Sequence, residues 1–367
     1  AAAAAAAAAE TTEDVSTKKI DAISGGTSSM SASIFNLVNN VAGAGILTLS
    51  AGMASGTGWV SASLICAVLG FLSSHTFTLI GEACALTGEK DFKGLWARTM
   101  GPNSTFVVDG MITILCLACT VIYSGILGDV FTPLLARAGL PAHMNGRSSN
   151  ILVLTATMLF PLCMIKNLSS LAFTSVLGFS AIMYTVLFIV VRSLDGTYGV
   201  VAGAAGKFVS DGILKHVPSF TKSSLWRLDF TSLVLASNLG LAYIAHYNGP
   251  AFYRELKDTN SKRFGTMVRI SFSLLTALYV VTMVAGYKTF GDVCQGNLLL
   301  NYHPKDILST LGRLATGCSI LFGYPLVAAG AREGLSGFVD GLKNRKSASS
   351  SKKQQQQQQQ QLSGPSF

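Results

Sequence analysis

The stretch Ser33-Ile-Phe-Asn-Leu-Val-Asn-Asn-Val-Ala-Gly-Ala-Gly-Ile-Leu-Thr-Leu-Ser50 decides the fold. Its length and apolarity suit a helix crossing a bilayer, which takes about 20 residues. Yet Asn36, Asn39 and Asn40 occupy its first half, and Gly43 and Gly45 interrupt its middle. An unsatisfied polar group in hydrocarbon costs roughly several kcal/mol, so a plain anchor gains nothing from such a centre. A helix that breaks at mid-membrane and turns its freed N–H and C=O groups toward a cavity uses every one of these residues.

Composition agrees with a chain built in lipid. Of 367 residues, 50% are hydrophobic and 12% charged, and the mean hydropathy is +0.47. Soluble domains carry about 25% charged residues, so the class is a multi-pass membrane protein. The net charge of +9 lies in segments between apolar runs. It forms no basic stripe interleaved with aromatics, which argues against a nucleic-acid partner. The sequence has no P-loop, no GxSxG elbow and no HExxH, and it reads as a non-enzyme without a cofactor. Of the seven cysteines, only Cys294 falls in an expected exoplasmic loop. Cys116-Leu-Ala-Cys119 has CxxC spacing but no second ligand pair, so it reads as structural thiols.

Outward from the first stretch, apolar windows predict about eight spans. They cover 31–54, 59–84, 106–135, 151–165, a fifth that follows Lys166-Asn167 to 191, 228–252, 268–290 and 307–329. Residues 1–28 read as a disordered N-terminal tail, 29–331 as the transmembrane domain, and 332–367 as a disordered, Gln-rich C-terminal tail. Lys and Arg are more frequent on the side that places both termini in the cytosol. The sequons at Asn103 and Asn167 then face the cytosol and stay unmodified.

Six motifs, in order, resemble the amino acid/auxin permease family, and most closely its sodium-coupled neutral amino acid transporter branch. They are the Ser33–Ser50 stretch; Tyr123 to Gly128-Asp129; Pro161-Leu-Cys-Met-Ile-Lys-Asn-Leu-Ser-Ser-Leu with Thr174, Ser175 and Gly178; His246 with Tyr253-Arg-Glu-Leu256; Gly286-Tyr-Lys-Thr-Phe-Gly291; and Pro325 with Arg332. The resemblance implies an all-α LeuT-type fold of inverted repeats, with the first helix of each repeat unwound. It also implies that this sequence stops before the last helices of the second repeat. The family's sodium-coupled members carry a hydroxyl residue late in the eighth helix. Leu321-Phe-Gly-Tyr-Pro325 has none there, and Thr316 and Ser319 are the nearest substitutes.

The expected function is secondary active transport of neutral L-amino acids by alternating access. Gly43, Ala44, Gly45 and Ile46 hold the substrate's backbone, and Tyr243 and His246 line the opposite wall. Asn39 with Thr316 or Ser319 binds the coupling ion, sodium or a proton. Each has a plainer reading beside it: close helix packing for the glycines, an interhelical amide bond for Asn39, a neutral hydrogen-bonded packing residue for His246. Asp129 reads as a packing or gate residue. The membrane is plasma, vacuolar or lysosomal. The alternative functions are a non-transporting amino acid sensor or scaffold, and an inactive fragment.

Overall fold

A computed structural model describes residues 26–141, 143, 145–164, 172–201, 204–209, 218–222 and 224–362. The predicted N-terminal tail up to residue 25 and the Lys166-Asn167 connection with its sequon lie outside the described residues.

The first predicted span is two helices, α1 (Met30–Val41) and α2 (Leu49–Ala54), separated by a 3-10 segment over Ala44–Thr48. Ser29 starts α1 by accepting the Ala32 N–H at 3.2 Å, satisfying one donor that the first turn leaves free. The second span is α3 (Trp59–Thr87), closed by Gly88 at φ 73°, a left-handed position that glycine adopts without a Cβ penalty. A short helix, α4 (Phe92–Met100), capped by Asp91, leads into α5 (Thr105–Arg137). The fourth span is α6 (Arg147–Leu154), a π turn over Thr155–Leu159, and α7 (Phe160–Cys163). Pro161 brings no N–H to that ladder, which loosens the hydrogen-bond spacing around it. The fifth span is α8 (Ala172–Leu194).

The long loop after α8 carries a hairpin, β1 (Val200–Val201) against β2 (Ala204–Ala205). The sixth span is again divided, into α9 (Ser232–Ala242) and α10 (Gly249–Glu255). The seventh and eighth spans are α11 (Ser261–Phe290) and α12 (Ile307–Leu362). In α11 half of the most apolar window is buried, against 28% in α3 and in α5. α11 is therefore the central post, while α3 and α5 turn residues such as Phe71 and Ile114, each 71% exposed, to the outside.

Two expected features take a particular form in the structure. Helical segments occupy all eight predicted places, but among the described residues only five helices can cross a membrane alone. Six do so if α1 and 45–54, bent by 47°, count as one span. The fourth and sixth fall short because the π turn and the central break divide them. From residue 332, where a polar tail is expected, α12 runs on to Leu362. Its glycines explain the continuation up to Gly341. A Cβ on Gly334 would lie 2.6 Å from Thr113 Oγ1, one on Gly337 2.6 Å from Asp109 Oδ2, and one on Gly341 2.9 Å from Phe106 Cβ. This face lets α12 lie directly on α5 past the predicted end of the domain.

Candidate binding site between two broken spans

Each break begins where a helix stops short. α1 ends at Val41, and Gly43 departs from helical dihedrals (φ −48°, ψ −133°) before the 3-10 segment begins. α9 ends at Ala242; the chain then passes through Tyr243, Ile244 and Ala245 into a 3-10 turn at His246–Asn248. α10 restarts with Pro250 in its first turn, where the missing N–H costs nothing.

The two divided spans lie antiparallel. Ser28, just before α1, donates to Glu255 O and accepts from Lys257 N, both at 2.9 Å. Asn248 Nδ2 donates to Asn40 Oδ1 at 3.4 Å, and Asn238 Nδ2 to Thr48 O at 3.3 Å. Between these ties the backbones almost touch. A Cβ on Gly45 would sit 2.7 Å from both Cα and Cβ of Ala242, and one on Gly43 would sit 2.9 Å from the Tyr123 hydroxyl. Both glycines are therefore needed for close approach. From α11, the buried Tyr279 hydroxyl reaches Ala242 O at 2.7 Å and Val41 O at 3.1 Å.

Beside the crossing lies a partly open pocket of about 60 Å³. The first break contributes Asn40, Gly43, Gly45 and Thr48, and the second Leu241, Ala242, Ile244 and Tyr247. α5 adds Cys119, Ile122 and Tyr123, and α12 adds Val327. None of the lining residues is acidic or basic. Asn40 Nδ2 is buried with no partner among the described residues.

The predicted substrate residues divide. Gly43 and Gly45 line the cavity; Ala44 belongs to the same 3-10 segment, and Ile46 is buried within it. Tyr243 and His246 do not line it. Tyr243 is 1% exposed, its hydroxyl donating to Cys66 O at 3.2 Å and lying 3.0 Å from Thr276 Oγ1. His246 Nε2 lies 2.8 Å from Thr76 Oγ1, its ring edge-on to Phe77. Both side chains face away from the cavity, and Ile244 and Tyr247 take the wall instead. The internal Gly249-Pro250 pair was the available signal, since Pro marks a helix start and so places a break before it. Tyr123 was visible within a motif, but nothing in its spacing showed that it meets Gly43.

The predicted ion ligands spread along α8. A Cβ on Gly178 would lie 2.3 Å from Asn39 Oδ1, an oxygen with no partner among the described residues. Thr316 pairs with Thr185 at 3.1 Å, two helical turns or about 10 Å from Gly178 along α8. Asn39 and Thr316 are thus not brought together. α8 and α12 run antiparallel, Asp306 meeting Arg192 and Thr316 meeting Thr185, so Ser319 lies nearer to the level of Asn39.

Polar ties close the end of the bundle at the start of α12. Asp306, fully buried, accepts from Arg192 at 2.6 and 2.9 Å and from the Tyr198 hydroxyl at 2.9 Å. Burial pushes the Tyr198 phenol up, so it stays a donor. Asp129 forms an ion pair with Arg147 at 2.5 Å and receives Asn297 Nδ2 at 3.4 Å.

Two broken, antiparallel spans with an uncharged pocket between them belong here to a multi-pass helical membrane protein. The sequence identifies the family. Residues 26–360 match the family described as transmembrane amino acid transporter protein, and the chain belongs to it. It is 26% identical over 307 residues to vacuolar amino acid transporter 7 of Saccharomyces cerevisiae, covering 82% of this chain and 58% of that protein. It is 26% identical to amino acid transporter AVT6B of Arabidopsis thaliana, covering 85% and 68% respectively. It is 25% identical to the putative sodium-coupled neutral amino acid transporter 11 of Danio rerio, covering 86% and 67%. The chain thus spans about three-fifths to two-thirds of the length of these relatives.

Proposed function

We propose that the protein carries neutral L-amino acids across a membrane, driven by a sodium or proton gradient, by alternating access around the broken first span. The observation that carries this reading is the cavity at the crossing of α1–α2 with α9–α10, lined without a charged side chain. A zwitterion needs both signs of charge, and helix ends supply both: partial negative charge where α1 and α9 stop, partial positive charge where the 3-10 segments begin. Apolar walls from Ile122, Ile244 and Val327 favour an uncharged side chain, because a charge buried there without a partner is costly. The names of the relatives support amino acids as substrates and admit a vacuolar membrane. The divided first and sixth spans support the LeuT-type arrangement. Asn39 with Ser319 is the proposed ligand pair for a coupling cation, and both termini are proposed to be cytosolic.

The test is uptake of labelled neutral amino acids into proteoliposomes under an imposed sodium or proton gradient. Uptake above empty liposomes under one of the two is expected; none under either refutes the proposal.

A further inference from the structure

Val41 and Ala242 are the last residues of α1 and α9. Their carbonyls belong to the group that a helix C-terminus leaves without an intrahelical donor, and each helix carries its negative dipole end there. Two such ends converge on one group, the Tyr279 hydroxyl, at 3.1 and 2.7 Å. A phenol has a single proton, so it fully serves one of these carbonyls at a time. Tyr279 is fully buried and does not line the cavity, whereas Val41 and Ala242 do.

We infer that Tyr279 is a positioning residue that holds the two broken spans in register, so that the Val41 and Ala242 carbonyls jointly receive the ammonium group of the substrate. The inference rests on the transport reading and deepens it. One proton shared between two acceptors leaves acceptor capacity on two residues that line the cavity, and a cationic N–H donor completes it. The ring of Tyr279 packs against Tyr243, centroids 4.9 Å apart, so removing the hydroxyl alone leaves the packing in place. The substrate therefore meets carbonyls whose separation is set from behind by a residue it does not touch.

The test compares Tyr279→Phe with Tyr287→Phe in proteoliposome uptake. Tyr287 is on the same helix, and its hydroxyl donates to Asp292 at 2.9 Å, away from both breaks. Losing a hydrogen bond of this kind corresponds to roughly a two- to tenfold rise in KM. The expected result is that rise for Tyr279→Phe, a maximal rate changed by less than the KM, and an unaltered KM for Tyr287→Phe. An unchanged KM in Tyr279→Phe, or equal KM shifts in both variants, overturns the inference while the wild type still transports. Absence of wild-type uptake overturns the transport reading, and this inference with it.

Discussion

Replacing Gly45 by alanine tests the crossing of the two broken spans most directly. The added methyl would lie 2.7 Å from Cα and from Cβ of Ala242. Carbon atoms rest at about 3.5–4.0 Å, so the spans must part by about 1 Å or the 3-10 segment must shift. Ala242 Cα is backbone and cannot rotate away. Overpacking of this kind costs about 1–3 kcal/mol, and a chain of this size loses about 2–4 °C of melting temperature per kcal/mol. Gly45→Ala should therefore lower the melting temperature of the purified protein by about 2–12 °C. Uptake should fall by about tenfold, equivalent to ~1.4 kcal/mol. Gly240→Ala is the matched control: it lies on α9, a Cβ there meets nothing within 4 Å, and alanine is the better helix former by about 1 kcal/mol. Adding Ala242→Gly to Gly45→Ala removes only the Cβ clash, so recovery should be partial. A Gly45→Ala protein with wild-type melting and uptake, or a Gly240→Ala protein equally damaged, refutes the close-approach argument.

Arg192→Met leaves fully buried Asp306 without its bidentate partner and should destabilise the fold by about 3–5 kcal/mol. Pairing it with Asp306→Leu should restore much of the loss in thermal denaturation. Cys119 lines the cavity, so a small thiol-reactive reagent should block uptake; substrate should protect against it, and Cys119→Ser should be insensitive. At Asp195, just beyond α8, burial pushes the carboxyl up, but bonds from the Thr197 hydroxyl and N–H and from Arg192 outweigh it and hold it below its usual 3.8. A depressed carboxylate stabilises the fold above its unfolded value and loses that contribution as the pH falls through the folded one. Thermal stability should thus decline below about pH 4, and Asp195→Asn should flatten that part of the profile.

The spans were legible because hydrocarbon forces long apolar runs, and the first break because three asparagines and two glycines have no other economical use in such a run. The break in the sixth span was equally present in Gly249-Pro250, yet which side chains line the cavity did not follow. Unwinding at Tyr243–Ala245 abolishes the 3.6-residue period from which a facing residue is inferred. Tyr243 and His246 therefore turn toward α3, and Ile244 and Tyr247 toward the cavity. Helix end points were hidden for a different reason. The composition of 332–341 is polar, but its glycines answer to α5, a partner more than 200 residues away in sequence. Tyr279 was invisible for the same cause, since nothing local marks a tyrosine whose hydroxyl meets the ends of two other helices.

These contacts also bear on how a cavity without charged side chains can select an α-amino acid. A side-chain ion pair would need several kcal/mol of desolvation per ion, of order, before any attraction is gained. Helix ends carry about half an elementary charge each, already fixed in place by the backbone ladder. In partly buried geometry one such end contributes up to ~2 kcal/mol, and in the proposed site two converging ends act on the same ammonium. On the proposed reading the selective element is the distance between the Val41 and Ala242 carbonyls. That distance is set by Gly45 against Ala242 on one side and by Tyr279 on the other. Substrates with only an amine or only a carboxylate satisfy one half of the site, and the other half stays unpaired in a low dielectric. On the proposed transport reading, recognition of the amino acid backbone resides in main-chain groups, which leaves Ile122, Ile244, Tyr247 and Val327 free to set side-chain preference.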